Sequence, residues 1–350
     1  MALLMDVPVE ILFYLGGFLP RSAIIALLRT CRHFLLVFAV DLYSNVEVSG
    51  VQGRKLALSV LTSRHVDYAG LIKRLFFHGV DSTDHLYLTY PLIVDAISIM
   101  NRVEKLTLVI PGGHASYFYS LMDRQGLLRL TKPPLAMALQ ALTDNPPSSR
   151  YNLPRLSELE VDGDHRLARL TMNRRINHLT IRELMTLGTL SEVTSWMPGE
   201  YLHTLNIQLI ISTTMELLLG LYGVSDCCPN LHRFEAETGM FNALEITEAF
   251  STFPVLFPNL RDFWLNRHHF LPPVFGTPAH ECFVLQQRHL SKATEHLRFL
   301  TSLRFGLVDW TGHDGGTGRK WRSEYFRKEI TVGPQWEGYS GEYSCLFLKE

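Results

Sequence analysis

The residues best suited to binding a metal ion lie between positions 268 and 296. The group comprises His268, His269, His280, Glu281, Cys282, His289 and His296. Zinc sites commonly use His-Glu-x-x-His on one helix or paired Cys-x-x-Cys turns, because these spacings bring the ligands onto one side of the ion. Neither spacing occurs here. The sequence therefore predicts no metal site and no cofactor.

Two segments after residue 311 have compositions that occur in phosphate and nucleic-acid sites. GHDGGTGRK, residues 312–320, lacks the GxxxxGK[S/T] order of a phosphate-binding loop, and we expect a flexible loop there. GRKWRSEYFRK, residues 318–328, mixes basic and aromatic side chains, but Glu324 and the following Glu329 dilute its charge. It is expected to cap the end of the fold. No Gly-x-Ser-x-Gly elbow supports a serine hydrolase, so the sequence predicts a protein without catalytic activity.

The composition describes a globular chain with nearly balanced charge. Its 350 residues are 47% hydrophobic, with 33 Lys and Arg against 34 Asp and Glu. Because the charges balance, the chain has no net electrostatic attraction to nucleic acid or to an anionic membrane, and neither partner is expected. Five scattered cysteines are too few for a disulfide framework. The chain is therefore expected in a reducing intracellular compartment, either cytoplasmic or nuclear.

The stretch DVPVEILFYLGGFLPRSAIIALLRTCRHF, residues 6–34, is unusually apolar. No basic region precedes it as in a secretory signal, and Glu10, Pro20 and Arg29 interrupt the roughly 20 apolar residues that a membrane span needs. Pro8 suits the first turn of a helix, and apolar residues then recur at three- and four-residue spacing. The pattern predicts three short helices. Because so small a unit leaves much apolar surface in water, we expect something else to cover it.

The same stretch resembles the F-box, whose pattern begins Leu-Pro-x-Glu-Ile/Leu-Leu and ends Val-Cys-Arg-x-Phe. The landmarks of the match are Val7, Pro8, Glu10, Ile11, Leu12, Leu15, Leu19, Ile24, Leu27, Cys31, Arg32 and Phe34. F-box helices dock on a Skp-type adaptor, which tethers them to a cullin-based ubiquitin ligase. The resemblance implies an adaptor-binding surface formed or supported by Pro8, Ile11, Leu12, Leu15, Leu27, Cys31 and Arg32. A helical hairpin buried against its own chain is the alternative interpretation.

A six-residue motif recurs eight times along the rest of the chain. It consists of an apolar residue, two polar residues, an apolar residue, any residue and an apolar residue. The copies are IKRLFF (72–77), VEKLTL (103–108), LSELEV (156–161), INHLTI (176–181), LHTLNI (202–207), LHRFEA (231–236), LRDFWL (260–265) and LTSLRF (300–305). Four of the seven steps between successive copies are 20 to 29 residues, which resembles the period of leucine-rich repeats.

These features predict an α/β fold with a parallel sheet. We expect an F-box at residues 1–48, a degenerate leucine-rich-repeat-like solenoid at 49–310, and a C-terminal cap or tail at 311–350. The Asn that usually follows the strand of such repeats is missing from every copy, which favours an irregular solenoid. Return helices are expected at Leu88–Met100, Leu135–Leu142, Met215–Tyr222, Ala243–Phe253 and Val284–Leu297.

Side chains that alternate with the buried positions of a strand face the open side of the sheet. From that set we expect the substrate-binding residues to be His178, Arg182, Arg233, Glu235, Trp264, Asn266 and Arg304. Trp264 is either an exposed anchor of the kind that dominates interfaces or a residue packed in the core.

An F-box followed by such repeats resembles the substrate receptors of cullin-based ubiquitin ligases. These non-catalytic subunits hold a target protein close to the ubiquitin-charged enzyme of the same assembly, and so act by proximity. The resemblance implies two partners, a Skp-type adaptor with its cullin complex and an unknown target. A repeat scaffold that never engages a ligase is the second hypothesis.

Overall fold

The structure, a computed structural model, describes residues 7–80, 83–128, 152–211, 213–238, 257–266, 297, 299–305, 308–315 and 318–325. Within these ranges the chain is a mixed α/β protein whose strands are mostly parallel, which confirms the predicted class. The chain divides into two compact units. The first comprises Met1–Glu183 and Trp196–Leu202, and the second comprises Leu184–Ser195 and His203–Glu350.

The first unit begins with three short helices, α1 (Val9–Gly16), α2 (Arg21–Leu28) and α3 (Arg32–Tyr43), which we call the helical module. Pro8 and Pro20 lie immediately before α1 and α2, where the missing proline N–H removes no helical hydrogen bond. The module has a small core of its own, built from Leu12, Ile24, Phe34, Val37 and Phe38. The three predicted helices are therefore present and pack on one another.

Five strands of the first unit follow in chain order, and each neighbouring pair is parallel. They are β1 (Asn45–Ser49), β2 (Arg74–His78), β3 (Lys105–Val109), β4 (Glu158–Asp162) and β5 (His178–Met185). The helices that return the chain are α4 (Gly50–Thr62), α5 (Tyr68–Leu71), α6 (Thr83–Ile99) and α7 (Gly112–Arg124), with a 3₁₀ helix at His165–Thr171. Parallel neighbours require such crossovers, because the chain must travel back before each new strand.

The second unit contains α8 (Leu187–Thr194) and α9 (Thr214–Cys227). Its strands β6 (Thr204–Leu209), β7 (Arg233–Glu237), β8 (Asp262–Asn266) and β9 (Ser302–Phe305) are parallel to one another. Two further strands, β10 (Val308–Gly315) and β11 (Gly318–Tyr325), run antiparallel and extend the sheet from β9. Side-chain hydroxyls of Thr186 and Thr213 accept N–H bonds that start α8 and α9.

All eight copies of the sequence motif lead into a strand, and each strand begins at the third residue of its copy. These first strand residues are Arg74, Lys105, Glu158, His178, Thr204, Arg233, Asp262 and Ser302. The first and fourth motif residues are buried in every copy, and the sixth is buried wherever its side chain is described. The motif therefore specifies one strand face that packs inward, as side-chain alternation requires.

The second motif residue joins neighbouring strands through its backbone. In the first unit, the carbonyl of Lys73 accepts hydrogen bonds from the N–H groups of Glu104 and Lys105, at 2.7 and 3.1 Å. In the second unit, the carbonyl of His203 accepts from His232 and Arg233, both at 2.9 Å. This repeated two-donor contact fixes where each new strand starts.

Several expectations are changed by the structure. The glycine-rich segment 312–320, expected as a flexible loop, contributes to the antiparallel pair β10–β11, whose register brings Gly315 opposite Gly318. Strand β1 was not expected. It contains Val46 and Val48, which lie within the expected F-box range of residues 1–48. The expected boundary between residues 310 and 311 falls inside β10.

The predicted return helices have mixed outcomes. Those at 88–100 and 215–222 correspond to α6 and α9, both of which start earlier than expected. The predicted helices at 135–142 and 243–253 lie outside the described residues, as does all but the last residue of the one at 284–297. The possible metal ligands between residues 268 and 296 also lie outside them.

Candidate interaction surfaces

Helix α1 and the turn after it carry a stripe of exposed apolar side chains. Ile11, Tyr14, Leu15 and Phe18 are 50%, 69%, 44% and 71% exposed, respectively. Their positions follow the three- and four-residue spacing of one helix face. Leu12, one position away, is only 1% exposed and lies in the core of the module. One side of α1 therefore packs inward, while the opposite side presents apolar surface to solvent.

The predicted adaptor-binding residues separate into two groups. Pro8, Ile11, Leu15 and Arg32 are exposed. Leu27 and Cys31 are half-buried and pack against the core of the module, and Leu12 belongs to that core. A partner would contact the first group directly. The second group would support the surface by holding the helices together.

Gly16 allows α1 and α3 to approach each other closely. A β-carbon at this position would meet Cε1 of Phe38 at 2.9 Å and a carboxylate oxygen of Asp41 at 3.0 Å. Burial raises the pKa of the Asp41 carboxyl above its ordinary value. Gly17 has no comparable constraint, since its nearest such atom is 3.5 Å away. The two adjacent glycines therefore have different roles.

Two ion pairs join neighbouring strands on the open face of the sheet in the first unit. Lys105 Nζ lies 3.0 Å from Glu158 Oε2 on the next strand, and Arg182 NH2 lies 2.6 Å from Glu160 Oε1. His178, a predicted substrate-binding residue, is exposed. Surface ion pairs of this kind add little stability, but they fix the positions of the side chains that a partner would meet.

The open face in the second unit brings three other predicted substrate-binding residues, Arg233, Glu235 and Arg304, close to Trp264. The Cζ atoms of Arg233 and Arg304 lie 3.7 and 4.3 Å from the centre of the Trp264 ring. Both distances are within the range of a cation–π interaction. The Trp264 Nε1–H donates to Ser302 Oγ at 3.1 Å.

Trp264 is neither fully exposed nor fully buried. The indole is half-buried on the open face, and both guanidinium groups lie within cation–π distance of its ring. A partner at this position would meet the indole together with the two guanidinium groups. Arg233 also lies 3.2 Å from Glu235. Asn266 is in β8, but its side chain lies outside the described part.

Burial and neighbouring charge also act on Asp262, which begins β8. Burial raises the pKa of the Asp262 carboxyl above its ordinary value, and Arg233 and Arg261 partly oppose that change.

Two histidines stack at the start of neighbouring strands in the second unit. The rings of His203 and His232 are 4.8 Å apart and inclined by only 9°. Burial lowers the pKa of His232, and the nearby His203 and Arg261 lower it further. Both histidines are second residues of their motif copies, so the spacing of the motif could have indicated that they are neighbours.

A buried arginine in the first unit was missed by sequence reasoning. Arg174 donates to the carbonyl oxygens of Leu127, Asn152 and Leu170, which lie far apart in the sequence. Burial lowers its pKa to about 10. Nothing in the local sequence distinguishes Arg174 from the exposed Arg175 beside it.

Asp164, His165 and Glu183 place one potential metal-ligand atom each within 4.8 Å of one another. Arg166 already donates four hydrogen bonds to Asp164 through its backbone N–H, Nε and NH2 groups. His165 contacts Glu183 through its backbone N–H and through Nδ1, the latter at 3.0 Å. The group is therefore a satisfied polar network, in which Arg166 neutralises the Asp164 carboxylate.

No protein-family model matches the chain, and no curated protein matches it significantly. In the part of the chain that the structure describes, every helix is too short or too polar to cross a bilayer. The surfaces themselves therefore carry the evidence for function.

Proposed function

We propose that this chain is a non-catalytic substrate-recognition subunit of a cullin-based ubiquitin ligase. The helical module acts as an F-box and docks on a Skp-type adaptor. The strand and helix units form an irregular leucine-rich-repeat-like solenoid whose open face binds a target protein. The protein works in the cytoplasm or nucleus, and it promotes ubiquitin transfer by holding the target close to the charged enzyme.

The observation that carries this proposal is the exposed apolar stripe on α1. Ile11 and Leu15 occupy positions of the F-box pattern and face solvent, although the module has its own core directly beneath them. A soluble chain rarely leaves a continuous apolar stripe uncovered unless another protein binds there. The helix boundaries at Pro8 and Cys31 also coincide with landmarks of the F-box pattern.

The strand arrangement supports the second half of the proposal. Eight motif copies form short strands with the same starting point, and neighbouring copies within each unit are parallel and in register. Such a stack presents an extended face on which side chains from successive strands lie side by side. The predicted target contacts on this face are His178 and Arg182 in the first unit. In the second unit they are Arg233, Glu235, Trp264 and Arg304.

Co-purification with a Skp-type adaptor tests the proposal. The wild-type chain is expected to elute with the adaptor, and Ile11→Asp with Leu15→Asp is expected to lose it, because two carboxylates would be buried in an apolar contact. Both side chains are exposed, so the variant should fold normally. Leu58→Asp with Leu219→Asp is the matched control, since it places the same charges on exposed leucines of α4 and α9.

The outcome also separates the two hypotheses. A wild-type chain that does not bind any Skp-type adaptor would remove the ligase proposal and leave the repeat scaffold. Loss of binding in the control variant would show that the assay reports general damage rather than a specific surface. Proximity labelling with and without residues 1–48 would then identify the proteins that contact the repeat face.

A further inference from the structure

The side chain of Arg174 binds the chain on both sides of residues 129–151, which themselves lie outside the described residues. Its NH2 group donates to the carbonyl oxygen of Leu127 at 3.1 Å and to that of Asn152 at 3.0 Å. Its Nε group also donates to Asn152, at 3.1 Å. Because both carbonyl oxygens are bonded to the same nitrogen, Leu127 and Asn152 are neighbours in space.

The chain completes one return helix before residue 129. Just after α7, Gly126 has φ +78°, the left-handed conformation that commonly follows the last turn of a helix. The N–H of Leu127 then donates to the carbonyl of Met122 at 3.0 Å, which closes that last turn. Leu127 and Leu128 are each only 1% exposed. The packed structure of this repeat therefore extends to residue 128.

At Leu153 the chain is already entering the next repeat. Leu153 is buried, has φ 58°, and accepts the N–H of Leu156, the first residue of a motif copy, at 3.2 Å. Phe257 is also buried, has φ 52°, and accepts the N–H of Leu260 at the same distance before another copy. A left-handed backbone is uncommon for residues with a side chain. Its presence at equivalent positions marks the same entry into a strand.

The spacing of the strands gives an independent measure of the extra length. The step from the start of β3 to the start of β4 is 53 residues, whereas the steps from β2 to β3, β6 to β7 and β7 to β8 are 31, 29 and 29 residues. Residues 129–151 number 23, so the β3–β4 step without them would be 30 residues. This repeat then has the same length as the others.

We propose that residues 129–151 are an insertion that the repeat fold does not require, and that Arg174 holds its two ends together. The guanidinium group suits this role, because its planar donors can bind carbonyl oxygens from separate segments at once. Any role of residues 129–151 is then separate from folding. This inference does not depend on the proposed ligase function, since it concerns only how the repeat stack is completed.

Replacement of residues 129–151 by a Gly-Ser linker of about four residues, in the otherwise full chain, tests the proposal. The variant is expected to keep one cooperative unfolding transition, with a denaturant midpoint equal to or above that of wild type, because a shorter connection lowers the entropic cost of joining its ends. Replacing α9, residues 214–227, by the same linker is the control, and it should lower the midpoint. A lower midpoint in the first variant as well would overturn the insertion.

The role of Arg174 is tested by Arg174→Met in both chains. The drop in midpoint should be smaller in the linker chain, because the linker itself keeps the two ends close. Equal drops would overturn the role given to Arg174.

A second variant removes the dependence on any one linker. A site-specific protease sequence is inserted between Leu142 and Thr143 of the full chain, and the chain is cut after folding. The two pieces are expected to elute together in gel filtration under native conditions. Separation of the pieces would overturn the proposal, because a fold that is complete without residues 129–151 does not need them to be continuous.

Discussion

Gly16 on α1 lies so close to α3 that a β-carbon would stand 2.9 Å from Cε1 of Phe38. Phe38 is fully buried in the core of the helical module and cannot move aside easily. Overpacking of this kind typically costs about 1 to 3 kcal/mol. We therefore expect Gly16→Ala to destabilise the packing of α1 on α3.

Gly17→Ala is the natural comparison for that variant. Gly17 already has helical backbone angles, with φ −61°, and a β-carbon there would make an ordinary van der Waals contact at 3.5 Å, so alanine should be neutral or slightly stabilising. Hydrogen exchange of the α1 amides measures the difference. Equal exchange rates in the two variants would contradict the close approach at Gly16.

Trp264→Leu is expected to destabilise the second unit by about 1 to 3 kcal/mol, because the indole contacts two guanidinium groups and donates one hydrogen bond. Ser302→Ala removes the hydrogen-bond acceptor alone and should cost less. Denaturant unfolding monitored by circular dichroism measures both. If Trp264→Leu is no worse than Ser302→Ala, the two arginines do not stabilise the indole.

Arg174→Met is expected to cost about 3 kcal/mol or more, because three backbone carbonyls would lose a buried charged donor. Arg174→Lys keeps the charge but not the planar arrangement of donors, so it should recover only part of the loss. The exposed Arg175 provides a control, and Arg175→Met should have a small effect on the unfolding free energy. A similar cost at both positions would contradict the role given to Arg174.

The stacked histidines predict a stability that falls on acidification. The folded-state pKa of His232 is below its ordinary value of 6.5, so the unfolded chain takes up the proton first. The contribution of neutral His232 to the free energy of unfolding is fully present above pH 6.5, and it is lost as the pH falls through 6.5 toward the folded-state pKa. Wild type should therefore lose more stability than His232→Gln between about pH 7.5 and about pH 5.5.

Replacement of the second histidine gives an independent check on that pH dependence. His203→Gln removes one of the causes of the lowered pKa of His232, so it should also reduce the acid loss. Unfolding at the two pH values measures the effect. An acid loss identical to that of wild type in both variants would mean that the stack does not couple to folding.

The strands could be predicted from the sequence because their pattern is local. The alternation of buried and exposed residues in one motif copy is enough to set the direction of its side chains. Strand β1 lies in the segment YSNVEV, residues 43–48, which fits the motif when Tyr43 is taken as its first apolar residue. It escaped notice because Tyr43 also ends α3 and the segment was included in the F-box. The β10–β11 pair escaped notice because its glycines are typical of loops.

Contacts between strands could not be predicted in the same way. Which residues lie beside Trp264 depends on the register of three strands separated by tens of residues. The hydrogen bonds of Arg174 depend on the carbonyls of Leu127 and Asn152, which are 47 and 22 residues away in the sequence. Leu12 is buried and Ile11 is exposed because they lie on different sides of α1. The F-box pattern does not separate them, since both residues fit it equally well.

The backbone contact made by the second motif residue leaves its side chain free to vary. The carbonyl at this position accepts hydrogen bonds from the N–H groups of the second and third residues of the next copy. The residues that make this contact are Lys73, Glu104, Ser157, His203, His232 and Arg261. Because the side chain takes no part in that bond, residues that differ in charge and size can occupy this position without altering where the next strand begins. The same freedom makes this position a suitable row of attachment points for spectroscopic labels, one on each repeat.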